Sequence, residues 1–387
     1  MTVKMAARVA DVGVSVFSEM SALAQQHSAV NLGQGFPDFP GPQFIKDAAW
    51  QAITADHNQY APAAGLPLLQ ESAADEWLRR YGRTLDPARE ITVTSGATEA
   101  LLNAVLAFVE PGDEVILLEP YYDAYPTQVR MAGATPVFVR LEEPDWTLNV
   151  ATVAAAVTPR TRAIMLNTPL NPCGRVFSKE ELLALAQLAV ERDLLVISDE
   201  VYDRLVFAPH QHIPISQLPG MWERTITIHS TGKTFSMTGW KVGYAVAAAP
   251  LTQAFRRVHQ FNTFATATPF QHAMAHGMRA GAAYEKDFLA FYQARKDQLV
   301  EVLLDVGFAV TPPQGTYFVM AGYKNLRDVP DTDFCKWLIS HVGVAAIPPS
   351  AFFHDSHQTG MVRFCFAKKP ETLELAAQRL KTGLSRR

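Results

Sequence analysis

The chain is poor in cysteine and in positive charge. Its 387 residues include only three cysteines, Cys173, Cys335 and Cys365, and no two stand at the spacing of a CxxC zinc or redox motif. Such sparse cysteines are typical of a reducing compartment. Lysine and arginine number 34 against 38 acidic residues, which gives a net charge of −4. A nucleic-acid partner is therefore not expected.

Long apolar runs are also missing. No stretch reaches the roughly 18 apolar residues that cross a membrane, and the N-terminal segment lacks the continuous apolar stretch of a signal peptide. We therefore expect a cytoplasmic protein without a membrane partner. Hydrophobic residues nevertheless make up 48% of the chain and charged residues only 19%, which is enough apolar material for a large core.

Strand-like and helix-like patterns alternate through the middle of the chain. The helix-like segments are 97–109 and 178–193, and the second opens with the capping box Ser178 and Glu181. The strand-like runs, rich in valine, isoleucine and leucine, are 91–95, 114–120, 135–141, 162–167, 194–198, 224–230 and 241–249. This alternation predicts an α/β fold with a mostly parallel sheet that is covered on both faces.

The pattern changes from about residue 250. Long helical stretches come first, and shorter strands follow at 316–322, 344–348 and 361–367. We predict a large domain at 41–274 and a smaller α+β domain formed by residues 1–40 together with 275–387.

Polar side chains follow three of the predicted strands. Asn171 comes after the run 162–167, and Asp199 and Tyr202 come after 194–198. Ser230 and Lys233 come at and after the end of 224–230. Because the carboxyl ends of parallel strands share one edge of a sheet, these side chains are expected to converge there.

The residue types suit a site for an aldehyde that carries an anionic group. A lysine becomes a nucleophile when burial or a neighbouring cation, such as Lys241, lowers its pKa. The turn 96–98 opens a helix, and free N–H groups there favour an anion. Asp199 suits a salt bridge to a protonated ring nitrogen.

Each of these residues also has a purely structural explanation. Lys233 alone could be solvated, Asp199 could cap a helix, and 96–98 could be an ordinary connection between strand and helix. Tyr122 could pack in the core, and Arg363 could be an edge-strand charge. The specific signal is the ordered set G-A-T-E, P-Y-Y-D, N-T-P-x-N-P, S-D-E-V-Y, S-x-x-K, G-W-K-x-G and a late arginine.

That set resembles the class I/II aminotransferases, which have the fold-type I architecture and use pyridoxal 5′-phosphate. The motifs NTPLNPCG, SDEVY and GKTFSMTGWKVGY carry the resemblance, and NLGQGFPDFPGP, HNQYAPAAGLPLLQ, GTYFVM and MVRFCFAKK extend it over nearly the whole chain. Within the class, the sequence is most similar to the methionine aminotransferase and kynurenine/glutamine aminotransferase branch. Lys241, which stands where many members have arginine, matches that branch.

The resemblance implies a role for each site residue. Lys233 matches the catalytic lysine that bonds to the cofactor, and Asp199 matches the partner of the ring nitrogen. Asn171 and Tyr202 match the groups on the ring hydroxyl, and Tyr122 matches the stacking aromatic. The phosphate site is matched by Ala97, Thr98, Ser230 and Lys241.

Three further matches concern the substrate and the partner subunit. Arg363 matches the arginine that binds the substrate α-carboxylate, with Asn171 and the backbone N–H of Gly35 beside it. Tyr60 matches a tyrosine that reaches the phosphate of the neighbouring subunit, which implies a homodimer. No metal site is expected.

The predicted reaction is transamination of a methionine-like or aromatic L-amino acid with a 2-oxo acid acceptor. Candidate side-chain pocket residues are Gln34, Phe36, Tyr60, Tyr122 and Phe352. A second arginine for a dicarboxylate stands in no motif position, although Arg257 and Arg279 stay open.

Two alternatives remain. A kynurenine/glutamine aminotransferase with cysteine-S-conjugate β-lyase activity would use the same residues. A transcription regulator built on this domain would carry an added DNA-binding domain, whereas only about 30 residues precede NLGQGFPD.

Overall fold

The structure is a computed structural model that describes residues 4–10, 13 and 15–384. Its strands form a central seven-stranded sheet of order β2-β8-β7-β6-β5-β3-β4, a three-stranded sheet of order β12-β10-β9, and a pair β1-β11. The strands are β1 Val30–Asn31, β2 Ile91–Thr94, β3 Glu114–Glu119, β4 Thr135–Arg140, β5 Thr161–Asn167, β6 Leu195–Asp199, β7 Thr225–Ser230, β8 Gly243–Val246, β9 Ala309–Val310, β10 Phe318–Gly322, β11 Val344–Ala345 and β12 Met361–Cys365.

Helices surround the sheets. The α-helices of the described residues are α1 Ala7–Ala10, α2 Val16–Gln26, α3 Gln43–Thr54, α4 Pro67–Tyr81, α5 Pro87–Glu90, α6 Ala97–Phe108, α7 Ala124–Met131, α8 Val150–Ala156, α9 Lys179–Glu191, α10 Thr231–Thr234, α11 Ala249–Asn262, α12 Thr268–Arg279, α13 Gly281–Asp305, α14 Asp331–Trp337 and α15 Pro370–Leu384. No helix in this part of the chain is both long and apolar enough to span a membrane.

The central sheet is mostly parallel, as predicted. Strands β4, β3, β5, β6 and β7 pair in parallel, and only β8 runs antiparallel to both of its neighbours, β7 and β2. The predicted strand 241–249 is shorter in the structure, because Lys241 has a left-handed backbone with a φ of 54° and helix α11 already begins at Ala249.

The strands of the central sheet have apolar residues at consecutive positions, because both faces of the sheet are buried. Along β3, Ile116 and Leu118 belong to the core on one face, whereas Val115 and Leu117 belong to the core on the other. Because successive side chains of a strand point to opposite faces, a sheet covered on both sides needs apolar residues at every position. The parallel, covered sheet therefore explains the runs seen in the sequence.

Segments from the N-terminal and C-terminal parts of the described chain meet in a third core. Val30 of β1 pairs with Val344 of β11, and α2 packs near β11. This core includes residues of α2, α13 and α15 together with the antiparallel strands β10 and β12. The division into domains at residues 40 and 275 stays a prediction; residue 275 lies within α12, which packs on α3 and α4.

Candidate active site

A cavity opens at the carboxyl edge of the central sheet. Asn167 ends β5, Asp199 ends β6 and Ser230 ends β7, and these strands are neighbours. The cavity is lined by Gly96, Ala97, Thr98, Leu101, Tyr122, Asn167, Asn171, Asp199, Val201, Tyr202, Ser230, Gly232, Lys233, Thr238, Lys241 and Val242. Most of the predicted site residues therefore come together. Tyr60, Gly35 and Arg363 are not part of this lining, nor are the candidate side-chain pocket residues Gln34, Phe36 and Phe352.

Lys233 lies on the short helix α10, directly after β7. Its Nζ donates a hydrogen bond to the Tyr317 hydroxyl at 2.9 Å. Desolvation lowers the pKa of Lys233 to about 8, and the nearby charge of Asp199 opposes that decrease. Since only the neutral amine is nucleophilic, the site brings this lysine much closer to reactivity near neutral pH than an exposed lysine.

Asp199 is a buried carboxylate at the end of β6. It is 5% exposed, and its Oδ2 accepts a hydrogen bond from the Tyr125 hydroxyl at 2.7 Å. Burial raises the pKa of Asp199 to about 6, although the bond from Tyr125 lowers it. No ion pair reaches Asp199 from the residues that the structure describes. A buried anion of this kind is costly until a cation approaches.

Arg363 is a buried cation, just as Asp199 is a buried anion. It is 1% exposed; its Nη1 donates to Asn171 Oδ1 at 2.8 Å and its Nη2 donates to the Gly33 carbonyl at 3.0 Å. Its guanidinium lies 4.0 Å from the centre of the Phe318 ring, and its Nε has no hydrogen-bond partner among the residues that the structure describes. Desolvation lowers the pKa of Arg363 to about 10. Within the described ranges it forms no ion pair, so an anionic ligand would relieve its burial.

The predicted phosphate site is an uncapped helix N-terminus beside a lysine. Gly96 precedes α6 with a φ of 80°, and no side chain caps the helix. A Cβ on Gly96 would lie 3.2 Å from the Lys241 Nζ, so the glycine lets the lysine side chain come close to the start of α6. Lys241 Nζ lies 3.5 Å from Thr98 Oγ1. Free N–H groups, a hydroxyl and an ammonium group together suit an anion with several oxygens.

Two tyrosines, Tyr202 and Tyr122, line the cavity. The Tyr202 ring centre lies 5.5 Å from Lys233 Nζ. Burial raises the pKa of the Tyr202 hydroxyl well above its usual value, so this group stays a neutral donor. Burial likewise raises the pKa of Tyr122 to about 12.

Gly35 and Tyr60 lie outside the cavity lining. The Gly35 carbonyl accepts a hydrogen bond from Tyr317, and a Cβ on Gly35 would lie 4.0 Å from Arg363 Nη2, so this backbone is beside the buried guanidinium. Tyr60 is 85% exposed, and within the described chain its ring contacts that of Phe264. Arg257 and Arg279, the open candidates for a second arginine, do not line the cavity.

Three site residues escaped the sequence interpretation. Tyr125 binds Asp199, Tyr317 binds Lys233, and Asn167 donates to the Asp199 carbonyl at 2.9 Å and accepts from the Asn171 N–H at 2.8 Å. Tyr317 and Asn167 lie inside the quoted motifs GTYFVM and NTPLNPCG, and Tyr125 lies two residues after P-Y-Y-D. Position within a motif was thus the available signal, but it does not show which side chain bonds to which.

Comparisons with known proteins agree with this arrangement. The model of the family "Aminotransferase class I and II" matches residues 27–380. The methionine aminotransferase of Escherichia coli K12 is 41% identical over 374 residues, which cover 97% of each chain. A probable N-succinyldiaminopimelate aminotransferase of Mycobacterium tuberculosis is 44% identical over 385 residues, with 96% of this chain and 97% of that protein covered. Human kynurenine–oxoglutarate transaminase 1 is 39% identical, with 97% of each covered.

Solved structures give the same result. The crystal structure of YbdL from Escherichia coli, identified as a methionine aminotransferase, has a TM-score of 0.96 at 40% identity and covers 98% of this chain and 100% of that one. The Mycobacterium tuberculosis N-succinyldiaminopimelate aminotransferase has a TM-score of 0.95 at 44% identity, with the same coverage. The fold-type I architecture is thereby confirmed. The sheet, the cavity at its carboxyl edge and these matches over nearly the whole chain show that the protein is an aminotransferase of the class I and II family.

Proposed function

We propose that this aminotransferase binds pyridoxal 5′-phosphate in the cavity and transfers the amino group of a methionine-like or aromatic L-amino acid to a 2-oxo acid. One observation carries the proposal: a single cavity holds Lys233 with a lowered pKa, the unpaired carboxylate of Asp199, and the anion cradle beside Lys241. The aldehyde of the cofactor fits Lys233, its ring nitrogen fits Asp199, and its phosphate fits the anion cradle beside Lys241.

The ring end of the proposed site is arranged around Asp199. The Tyr125 hydroxyl fixes one carboxylate oxygen, and the carboxylate is then available to hold a protonated ring nitrogen. Tyr202 stays protonated and can donate to the ring oxygen, as can the side-chain amide of Asn171. The face of Tyr122 is available for stacking.

The phosphate end consists of groups that donate. Ala97, Thr98, Ser230 and Lys241 all line the cavity, and Lys241 Nζ lies 3.5 Å from Thr98 Oγ1. Their N–H groups, hydroxyls and ammonium group would hold the phosphate. Gly243 permits this close assembly, because a Cβ there would lie 2.9 Å from the Gly96 carbonyl carbon and 3.0 Å from the Ala97 nitrogen.

Pyridoxal phosphate, when bound, supplies an electron-withdrawing ring that stabilises the electron pair left when the substrate Cα loses its proton. Lys233 would hold the aldehyde carbon of the cofactor. When neutral and free, the Lys233 amine would accept the Cα proton of the substrate and later donate it again. Its lowered pKa makes the neutral form available for this role.

The substrate carboxylate is assigned to Arg363. Its guanidinium can offer two parallel N–H donors, a geometry that lysine cannot reproduce. Asn171 and the Gly35 backbone lie beside it.

No second arginine for a side-chain carboxylate stands in a motif position of the sequence. We therefore favour an uncharged donor side chain. The candidate side-chain pocket residues Gln34, Phe36, Tyr60, Tyr122 and Phe352 suit a thioether or a ring, since sulfur packs well against ring edges. The names of the Escherichia coli and human relatives, a methionine aminotransferase and a kynurenine–oxoglutarate transaminase, support this range of donors.

We also propose a homodimer in the cytoplasm, with a large and a small domain in each protomer. Tyr60 and Phe261 are each 85% exposed, and Phe264 is 42% exposed. Large apolar side chains of this kind on one surface are typical of a covered interface. In this arrangement Tyr60 extends to the phosphate cradle of the second copy.

The direct experiment adds pyridoxal phosphate to the purified protein and follows visible absorbance and amino transfer. The wild-type protein is expected to gain a visible band and to turn over L-methionine with a 2-oxo acid, whereas Lys233→Ala gains neither. Lys324→Ala is the matched control, because Lys324 forms an exposed ion pair with Asp328. Wild-type turnover in Lys233→Ala would contradict the assignment.

Donor preference is decided by comparing kcat/KM for methionine, phenylalanine, kynurenine, glutamine and N-succinyldiaminopimelate. The proposal expects an uncharged side chain to lead the series. A lead for N-succinyldiaminopimelate would overturn the proposed donor class and agree with the name of the Mycobacterium tuberculosis relative. Release of pyruvate and ammonia from a cysteine S-conjugate, without an added 2-oxo acid, would indicate β-lyase activity.

A further inference from the structure

Tyr317 links the lysine of the cavity to the backbone beside Arg363. Its hydroxyl accepts a hydrogen bond from Lys233 Nζ at 2.9 Å and donates one to the Gly35 carbonyl at 2.6 Å. The side chain is fully buried. Lys233 follows β7 of the central sheet, whereas Tyr317 immediately precedes β10 of the three-stranded sheet, so the hydroxyl joins two separate parts of the fold.

The position of this hydroxyl is well defined. The Tyr317 ring packs against three aromatic rings, those of Tyr202 at 5.1 Å, Phe318 at 4.8 Å and Tyr292 at 6.1 Å between centres. Because the hydroxyl proton points to Gly35, the oxygen presents a lone pair to the lysine. A lysine side chain has four flexible carbons, and a fixed acceptor restricts where its nitrogen can lie.

We propose that Tyr317 is a positioning residue, which holds the released amine of Lys233 at a fixed point above the substrate Cα and ties that point to the Gly35 backbone. The inference rests on the proposed function, because it concerns the interval in which Lys233 is not bonded to the cofactor. It adds a residue to the reaction that neither the sequence motifs nor the cavity lining assigned.

The Tyr317 hydroxyl also affects the pKa of Lys233. An acceptor at hydrogen-bond distance stabilises an ammonium more than a neutral amine, so removal of the hydroxyl lowers the pKa of Lys233. The other titratable groups that face the amine are Asp199, Tyr202, Lys241, Arg363 and Cys365. Of these, Tyr202 also shares a side-chain hydrogen bond with Tyr317.

The test compares Tyr317→Phe with Tyr292→Phe. Both substitutions remove one buried hydroxyl from neighbouring rings, but the Tyr292 hydroxyl contacts Ser236 and does not contact Lys233. The first readout uses cofactor-free protein: pyridoxal phosphate is added over a range of pH, and the rate at which the visible band appears gives the midpoint for the neutral amine. The second readout is kcat and KM for L-methionine.

In Tyr317→Phe the midpoint is expected to move to lower pH by about half a unit or more, and kcat is expected to fall about 10-fold with little change in KM, as the loss of one hydrogen bond predicts. Tyr292→Phe should keep the wild-type midpoint. The midpoint does not depend on the fraction of folded protein, so it stays informative if Tyr317→Phe is less stable.

Equal midpoints and equal kcat in the two variants would overturn the positioning role. A purely structural role would lower the melting temperature of Tyr317→Phe without moving the midpoint, and this result would also overturn the proposal. If the wild-type protein itself captures no cofactor, the proposed function fails instead, and the two failures are therefore distinguishable.

Discussion

Substitution of Arg363 by lysine tests the proposed carboxylate site most directly. Lysine keeps the positive charge but loses the planar pair of donors. In the structure, the guanidinium is oriented by Asn171 Oδ1 and the Gly33 carbonyl, and it stacks on Phe318. An ammonium cannot keep both hydrogen bonds and also bind two carboxylate oxygens in parallel.

The expected loss follows from the number of hydrogen bonds. A hydrogen bond to a charged group contributes roughly 1.5–3 kcal/mol, and the lysine variant is expected to lose the equivalent of one to two of them. A loss of about 3–4 kcal/mol corresponds to a decrease of about 10²- to 10³-fold in kcat/KM for L-methionine. The loss should be specific for ligands that have a carboxylate, because an amine without this group has nothing to contact at position 363.

The assay measures kcat/KM for L-methionine together with binding of 3-(methylthio)propylamine, the corresponding amine without a carboxylate. Arg295→Lys is the matched control, since the Arg295 guanidinium also lies over an aromatic ring, that of Phe291 at 3.2 Å, and donates to the Lys368 carbonyl outside the cavity. A kcat/KM for Arg363→Lys within about threefold of the control would refute the reasoning. An equal weakening of methionine and of the amine would refute it as well.

Three further predictions concern Asp199, Tyr125 and Tyr60. Burial raises the pKa of Asp199 from 3.8 to about 6, so its charge costs the folded, cofactor-free protein about 3 kcal/mol above pH 6. This part of the free energy of unfolding is present at low pH, where Asp199 is neutral, and is lost as the pH rises through 6. Asp199→Asn should therefore unfold at a higher temperature than wild type at pH 8, with the difference closing toward pH 4. Tyr125→Phe removes the hydrogen bond that lowers the pKa of Asp199, so in thermal melts the decline in stability should extend to higher pH and become larger. An unchanged profile would contradict the role of Tyr125. Mixed dimers of Tyr60→Ala and Lys233→Ala should regain about one quarter of wild-type activity if Tyr60 acts on the partner's site. The reason is that half of the randomly assembled dimers pair one subunit of each variant, and each of these dimers contains one intact site. No recovery of activity would place Tyr60 in its own subunit's site.

The hydrophobic pattern was sufficient to predict the elements of the sheet. The run 114–120 became β3 and 194–198 became β6, within one or two residues, because a strand covered on both faces requires continuous apolar residues. The capping box at Ser178 and Glu181 forms as expected, since it depends on residues only three positions apart. The antiparallel direction of β8 was not predicted, because an apolar strand has the same pattern in either direction.

The candidate site was predictable as a set of residue types at strand ends. Asn171, Asp199 and Lys233 each follow a predicted strand, and a parallel sheet brings such positions to one edge. The protonation of these groups was not predictable, because the pKa of Lys233 depends on how much solvent the folded chain removes.

The sequence by itself determined the class of fold, the order of the motifs and the chemical groups available at the sheet edge. Tertiary structure decided which groups meet. Arg363 reaches Asn171 across 192 residues, Tyr317 reaches Gly35 across 282, and Tyr125 reaches Asp199 across 74. Such contacts depend on how separate elements pack, and local patterns carry no information about the direction or distance of a side chain from a distant strand.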